Sequence, residues 1–304
     1  MRIGLIIQLH GSPDSGLPPP TWERVKGFAS TAEDVGFDSL VFEDALIYRE
    51  ADTTRGCWES MAIAAGLAAV TSRIEFGQSV VNAPYRSPAL TAKIAETIDE
   101  ISGGRYICGI GAGNTEDYDY QAFGFPSDHR YSRFAEAIQI LHGLLKEGRV
   151  DFTGQYHSAE DSELDLRGPR TQGPPIVVAA GGPRMLRLAA RYGDGWNWWT
   201  VEHANAMEAL RPLVNELEAA CQEVGRDPAT LTRSLDLYSV DPLNRATIGP
   251  IWGGEALGGT PDEIAEALLG FRELGFDEIR CDVFPKETEG IEAMADVVRL
   301  VHQG

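Results

Sequence analysis

Ala32-Glu33-Asp34-Val35-Gly36-Phe37-Asp38-Ser39-Leu40 and Phe271-Arg272-Glu273-Leu274-Gly275-Phe276-Asp277-Glu278-Ile279 read alike, and Ala189-Ala190-Arg191-Tyr192-Gly193-Asp194-Gly195-Trp196 is a looser third copy. Each is a helix end, a glycine stop and the start of an apolar run, so one helix-to-strand joint recurs in a single polarity. Outward from these joints, short β-branched runs alternate with helical patterns along the chain. The runs are 3–9, 39–43, 74–81, 106–111, 175–180, 195–199, 232–240 and 278–284. Several, such as Ile176-Val177-Val178-Ala179-Ala180, are continuously apolar, as strands of a parallel sheet buried on both faces are. Eight β/α units over this length predict a closed (β/α)8 TIM barrel, typically about 250 residues, with loop insertions. The excess falls at 151–174 and 241–259. No composition break divides the chain, so 1–304 is expected to be one domain; an open doubly wound sheet of two lobes is the alternative.

The intervening helices are marked at their ends. Trp22, Val25, Phe28, Ala29, Ala32 and Val35 form one apolar face ending at Gly36. Ser87-Pro88 and Thr260-Pro261-Asp262-Glu263 each combine a cap with a first-turn proline, and the second adds a capping box.

Composition narrows the function classes. The 304 residues carry 26 Lys plus Arg against 46 Asp plus Glu, a formal charge of −20, with 43% hydrophobic residues. That is a globular composition whose field repels phosphate backbones and anionic lipid, so neither a nucleic acid nor a membrane is an expected partner. The longest nearly apolar run, 61–70, is far short of the about 20 residues that a membrane helix needs. The apolar run 3–7 is too short for a signal peptide, and a cytoplasmic protein is expected. The four cysteines are widely spaced, and the six histidines include no His-x-His pair, so neither a disulfide framework nor a metal site is expected.

In a parallel barrel, function sits at the C-terminal ends of the strands. Four loops there bear chemistry. One holds His10. Another holds Glu43-Asp44, a carboxylate pair suited to acid/base work or, equally, a cap and a solvent-facing acid. The third, Cys108-Gly109-Ile110-Gly111-Ala112-Gly113-Asn114-Thr115-Glu116, lets backbone approach a ligand closely but lacks the third glycine of a dinucleotide fingerprint. The fourth, Ala179-Ala180-Gly181-Gly182-Pro183-Arg184, brings bare amides, a helix N-terminus and a guanidinium together, which is what a phosphate needs. Tyr131, in His129-Arg130-Tyr131, is a candidate to add a phenol to that phosphate. Trp196, Trp198 and Trp199 are candidates to wall an aromatic cofactor, although most are expected to be structural.

In this order the motifs resemble the bacterial-luciferase-like superfamily of flavin- or deazaflavin-dependent oxidoreductases. The resemblance runs through Met1-Arg2-Ile3-Gly4-Leu5, Gly36 to Leu40, Pro88-Ala89-Leu90, Ser102-Gly103-Gly104-Arg105, Gly109 to Gly113, Ala122-Phe123-Gly124-Phe125-Pro126, Gly181 to Arg184 and Asp194-Gly195-Trp196-Asn197. It implies a TIM barrel binding coenzyme F420 or FMN across the strand C-termini. The third strand is implied to end in a bulge, often with a non-proline cis peptide, at Ser79-Val80, with Asn82 just beyond. Gly111, Ala112, Gly113 and Asn114 would flank the cofactor, and Gly181, Gly182, Pro183 and Arg184 would hold its phosphate. The implied reaction is hydride transfer between F420 and a small organic substrate, with FMN-dependent monooxygenation as the alternative and a noncatalytic flavin-binding barrel as the contrasting class. Glu43 or Asp44 would manage the proton, with His10 as a further candidate. Many relatives carry Asp-His where this chain has Glu43-Asp44, so a histidine at that position does not carry over. A homodimer is also implied.

Overall fold

The computed structural model describes residues 1–11, 18, 20–50, 53–114, 118–200, 206–245 and 256–304. Eight parallel strands close into a barrel. They are β1 (Arg2–Ile7), β2 (Ser39–Phe42), β3 (Glu75–Gln78), β4 (Tyr106–Gly111), β5 (Ile176–Ala179), β6 (Gly195–Trp199), β7 (Thr232–Asp241) and β8 (Glu278–Val283). Each pairs with the next, and β8 closes on β1. The main helices outside are α1 (Trp22–Val35), α2 (Ser60–Val70), α3 (Pro88–Ser102), α4 (Arg130–His142), α5 (Pro183–Tyr192), α6 (Met207–Glu223), α7 (Pro261–Gly270) and α8 (Ala295–Gln303). Among the described residues no helix is long and apolar enough to cross a membrane.

The recurring joint has a physical explanation. Asp38, Asp194 and Asp277 each donate their backbone N–H to a carbonyl near the start of the preceding strand, that of Ile3, Ile176 and Arg233, at 2.8–2.9 Å. Each aspartate carboxylate then accepts the N–H of that same residue, at 2.8, 2.7 and 2.8 Å. One residue therefore occupies both polar groups of its partner and fixes the offset of β2 on β1, β6 on β5 and β8 on β7. Gly36 and Gly275 precede these joints with φ of 105° and 83°, which only glycine adopts at low cost.

The apolar core lies between barrel and helices. Ile3, Leu5 and Ile7 of β1 share one cluster with Val25, Phe28, Ala29 and Ala32 of α1. The opposite face of the strands points into the barrel, and over β6 to β8 it is polar: Asn197, Ser234, Asp236, Glu278, Arg280 and Asp282 are all buried. β5 is continuously apolar, as its sequence reads, whereas these three strands carry polar residues on their inner face. Register places Gly4, Ser39 and Arg280 at one level, and a Cβ on Gly4 would collide with both neighbours.

β3 stops at Gln78, the Ser79–Val80 peptide is cis, and a two-residue strand, Val81–Asn82, resumes pairing with β4. The run expected to continue to Val81 is therefore broken at the mouth. The expected insertion at 151–174 contains the hairpin Arg149–Thr153 and Ser158–Glu163, between α4 and β5. It lies at the end of the barrel away from the strand C-termini. Much of the second, 246–255, lies outside the described residues, as do Thr115 and Glu116 of the glycine loop. A further hairpin, Ile47–Glu50 and Thr53–Gly56, follows β2 at the mouth. Its strands are four residues long and its second arm is largely exposed, so no apolar period marks it.

Asp277→Ala is expected to lower stability by about 1–3 kcal/mol, the cost of leaving the Arg233 amide unpaired. Asp277→Asn, which keeps an acceptor, should lose less. Urea midpoints equal to wild type for the alanine variant would remove the joint as a stabilising element.

Candidate functional site

At the strand C-termini the barrel interior opens. Ile6 is half-buried while Ile3, Leu5 and Ile7 are buried, and Ser79, Val80, Ala179 and Tyr238 are likewise half-buried around the same mouth. Trp199, with 44% exposure, stands edge-on to Tyr238 with ring centroids 6.4 Å apart. Beneath this basin a buried network spans the barrel. Ser79 Oγ donates to Asp236 Oδ2 at 2.6 Å, Asn197 Nδ2 donates to Asp236 Oδ1 at 3.0 Å, and Arg280 lies 3.8 Å from that oxygen. Burial pushes the Asp236 carboxyl above its ordinary range, against the opposing pull of Arg280, Ser79 and Asn197. Asp236 and Arg280 escaped the sequence reading, and Asn197 entered it only as the end of the Asp194–Asn197 motif, without a role. Their signal was three polar residues inside apolar runs, at positions alternating with core residues.

Glu43 and His10 meet at one side of the mouth. Glu43 Oε1 accepts the Leu9 N–H at 2.8 Å and lies 2.8 Å from His10 Nδ1. A carboxylate can only accept, so it is the Nδ1–H that donates in this contact. Cys57 joins them: His10 and Cys57 form an isolated antiparallel bridge. The Tyr48 ring of the 47–56 hairpin packs on the imidazole at 4.4 Å. Nothing in the sequence spacing linked residues 10, 43 and 57.

Asp44 does not pair with Glu43, contrary to one sequence reading. Its buried carboxylate accepts from Arg86 Nη1 and Nη2 at 2.6 and 2.9 Å, from Ser60 Oγ at 2.6 Å and from the Asn82 N–H at 2.9 Å. With its side chain 0% exposed and four donors engaged, it ties the start of α2, the Val81–Asn82 strand and the turn before α3 together and has no free edge for a substrate. Asn82, expected at the cofactor, is buried in the same knot, its amide meeting the Tyr120 hydroxyl at 3.1 Å. Gly113 lies over that contact, where a Cβ would strike both groups.

The glycines of β4 also serve packing. A Cβ on Gly109 would collide with the Gln78 carbonyl and one on Gly111 with Val80, so the space left by Gly111 holds a protein side chain. Ala112 is buried. Gly181 is covered by the Trp198 indole, whereas a Cβ on Gly182 would meet nothing within 4 Å. Trp196 is fully buried outside the barrel, stacked on Phe276 and donating to the Ala180 carbonyl at 2.8 Å, so it is structural.

Two of the predicted motifs converge. Arg184 Nη2 donates to Ser132 Oγ at 3.2 Å, joining the first turns of α5 and α4. With Asn114, Ser127, His129, Arg130 and Tyr131 they line an open cleft of 450 Å³. Neither α4 nor α5 has a side-chain cap; the Ser132 amide is taken by the His129 carbonyl at 2.8 Å, while the amides before it in α4 and those just after Pro183 in α5 have no side-chain acceptor. Two positive helix ends, two guanidiniums and a hydroxyl around one cleft fit a phosphate. Pro183 contributes by opening α5 without an N–H to satisfy.

This barrel with its broken third strand matches, over residues 1–240, the family described as luciferase-like monooxygenase. The chain belongs to the luciferase-like monooxygenase family. Among its relatives is the F420-dependent hydroxymycolic acid dehydrogenase of Mycobacterium tuberculosis, 31% identical over 237 residues, 76% of this chain and 63% of that one. Another is the pyrimidine monooxygenase RutA of Stutzerimonas stutzeri, 32% identical over 217 residues, 68% of this chain and 58% of that one. The matched segment thus spans less than two thirds of either relative. Among solved structures, an F420-dependent secondary alcohol dehydrogenase in complex with an F420-acetone adduct superposes with a TM-score of 0.80 at 19% identity, covering 99% of this chain and 98% of that one. At that identity the likeness is one of fold.

Asp236 yields a prediction with a definite sign. A carboxyl whose pKa is raised in the folded state contributes stability that is fully present below its unfolded pKa of about 3.9 and is lost as pH rises through the folded value. Asp236→Asn removes that slope, so its stability relative to wild type should rise with pH above about 4. Parallel urea-midpoint profiles for the two proteins would contradict the raised value.

Proposed function

We propose that this chain is an oxidoreductase that transfers a hydride between coenzyme F420 and a small organic substrate. The single observation carrying this reading is the His10–Glu43 hydrogen bond at an open barrel mouth. Hydride transfer to or from a carbonyl or alcohol carbon needs a proton moved at the adjacent heteroatom, and an imidazole backed by a carboxylate is suited to that. A barrel that only stored a flavin would have no use for it.

The residues present fit the coenzyme. Gly182, the amides after Pro183, Arg184, Arg130, Ser132 and Tyr131 would hold its phosphate-bearing tail, and the half-buried Ser79, Val80, Ala179 and Tyr238 would bound its ring. Bound there, F420 would supply hydride chemistry and, with carbon in place of the oxygen-reactive flavin nitrogen, resist reaction with dioxygen. The protein's own part is orientation and proton handling. The Leu9 N–H holds the Glu43 carboxylate and that carboxylate orients the His10 ring, so that Nε2 accepts or returns a proton while Glu43 stabilises the imidazolium. The apolar rim of Ile6, Val80 and Ala179 limits water beside the reacting carbon. FMN-dependent monooxygenation is the second reading, favoured by the match to RutA.

Titrating the protein separately with F420 and FMN, read by quenching of tryptophan fluorescence, decides between them, with Trp199 at the mouth as reporter. Saturable binding of F420 alone is expected; binding of FMN alone selects the second reading, and binding of neither overturns both. Arg184→Ala should weaken cofactor binding by about 1–3 kcal/mol through loss of a charge-assisted contact, and an unchanged dissociation constant would remove Arg184 from the phosphate site. His10→Ala should leave that constant in place and lower kcat by about 10²- to 10⁴-fold. Retention of full turnover would place the proton elsewhere.

A further inference from the structure

The spacing of the cysteines and histidines predicts no metal site, yet the fold brings Cys57 to the one mixed-donor cluster found among the described residues. A ring nitrogen of His10, a carboxylate oxygen of Glu43 and Cys57 Sγ all lie within 4.8 Å of one another. We propose that these three side chains form a zinc site at the barrel mouth, with the fourth coordination position open to water or to an incoming ligand.

Main-chain contacts hold all three donors in place. His10 and Cys57 face each other across an antiparallel bridge, which sets their side chains next to one another. Cys57 N donates to the Leu46 carbonyl at 3.0 Å and Trp58 N to the Leu9 carbonyl at 3.3 Å, so the end of the hairpin is fastened on both sides of the ligand. Glu43 is held by the Leu9 amide. Such positioning removes much of the ordering cost that a divalent ion would otherwise meet. The His10 and Glu43 side chains, 14% and 19% exposed, leave the ion a route in.

The donor set selects the ion. Imidazole and thiolate are poor ligands for magnesium or calcium and good ones for zinc, which three protein ligands leave with one exchangeable position. Charge agrees: the carboxylate and a thiolate neutralise a divalent cation. Glu43 faces Nδ1, so on binding the hydrogen bond between them opens, Nδ1 gives its lone pair to zinc and the ring proton moves to Nε2. The Cys57 S–H bond breaks, its proton goes to solvent and the sulfur lone pair bonds the zinc; no electron is transferred. With Nδ1 on the metal and the proton on Nε2, the ring has no lone pair left to accept a proton. Zinc occupancy and proton handling by His10 are therefore mutually exclusive, a consequence that rests on the proposed function, whereas the site itself does not.

The test uses the full chain stripped of metal with a chelator, then titrated with Co²⁺ as a spectroscopic stand-in and with Zn²⁺ against a chromophoric chelator. One equivalent should bind, with a near-ultraviolet thiolate-to-cobalt charge-transfer band. Cys57→Ala should abolish the band, and zinc affinity should fall by more than the roughly tenfold to hundredfold that loss of an outer-shell partner costs. Glu43→Gln, which leaves the thiol and the hairpin intact, should keep the band and weaken binding, which provides a second check should the cysteine variant fold poorly. Absence of stoichiometric binding, a band that survives in Cys57→Ala, or zinc affinity unchanged in Glu43→Gln would overturn the site. Because no coenzyme is present, these outcomes are independent of the F420 and FMN titrations.

Discussion

A buried backbone amide at the floor of a parallel barrel has to find an acceptor, and Asp38, Asp194 and Asp277 meet that need by binding both polar groups of one residue on the preceding strand. A slip of one residue would break both bonds and also turn every side chain of the strand to its other face. The levels of the barrel follow from this: Gly4 beside Ser39 and Arg280, Ser234 beside Glu278, and Asp236 beside Arg280. The polar interior that supports the mouth exists only because these offsets are held.

Above the floor, the chain separates support from access. Asp44, Arg86, Asn82 and Tyr120 form a linked set of hydrogen bonds, extended by Ser60 and Glu59, that anchors the segment after the Ser79–Val80 step. Ser79 reaches across the barrel to Asp236, so the same step is anchored from beneath. What remains half-exposed is the apolar rim on one side and, on another, the cleft where α4 and α5 both present their N-termini. A ligand with a flat ring and an anionic tail matches that division of surfaces.

The 47–56 hairpin changes the chemistry of the mouth. By bridging Cys57 to His10 and laying Tyr48 on the imidazole, it gives the His10–Glu43 pair a thiol neighbour and a partly desolvated setting. Electrostatic interactions strengthen where water is excluded, so this short insertion bears on the strength of the His10–Glu43 contact.

The sequence by itself determined the architecture, because helix stops, capping boxes and the glycine-to-aspartate joints are local signals whose meaning depends on a few neighbouring residues. It also marked the two sides of the cleft between α4 and α5, since Gly-Gly-Pro-Arg and His-Arg-Tyr each describe a helix start. Only the tertiary structure decided which chemical groups work together. Glu43 and Asp44 are adjacent in sequence, yet one meets His10 and the other Arg86, because strand-end side chains on successive residues point to opposite sides. Gly109 and Gly111 resembled a ligand cradle, but their empty space adjoins Gln78 and Val80, which a reading of one strand cannot reveal. Asn197, Asp236 and Arg280 come from three strands, and His10, Glu43 and Cys57 from three loops, so their proximity is a property of barrel closure and register.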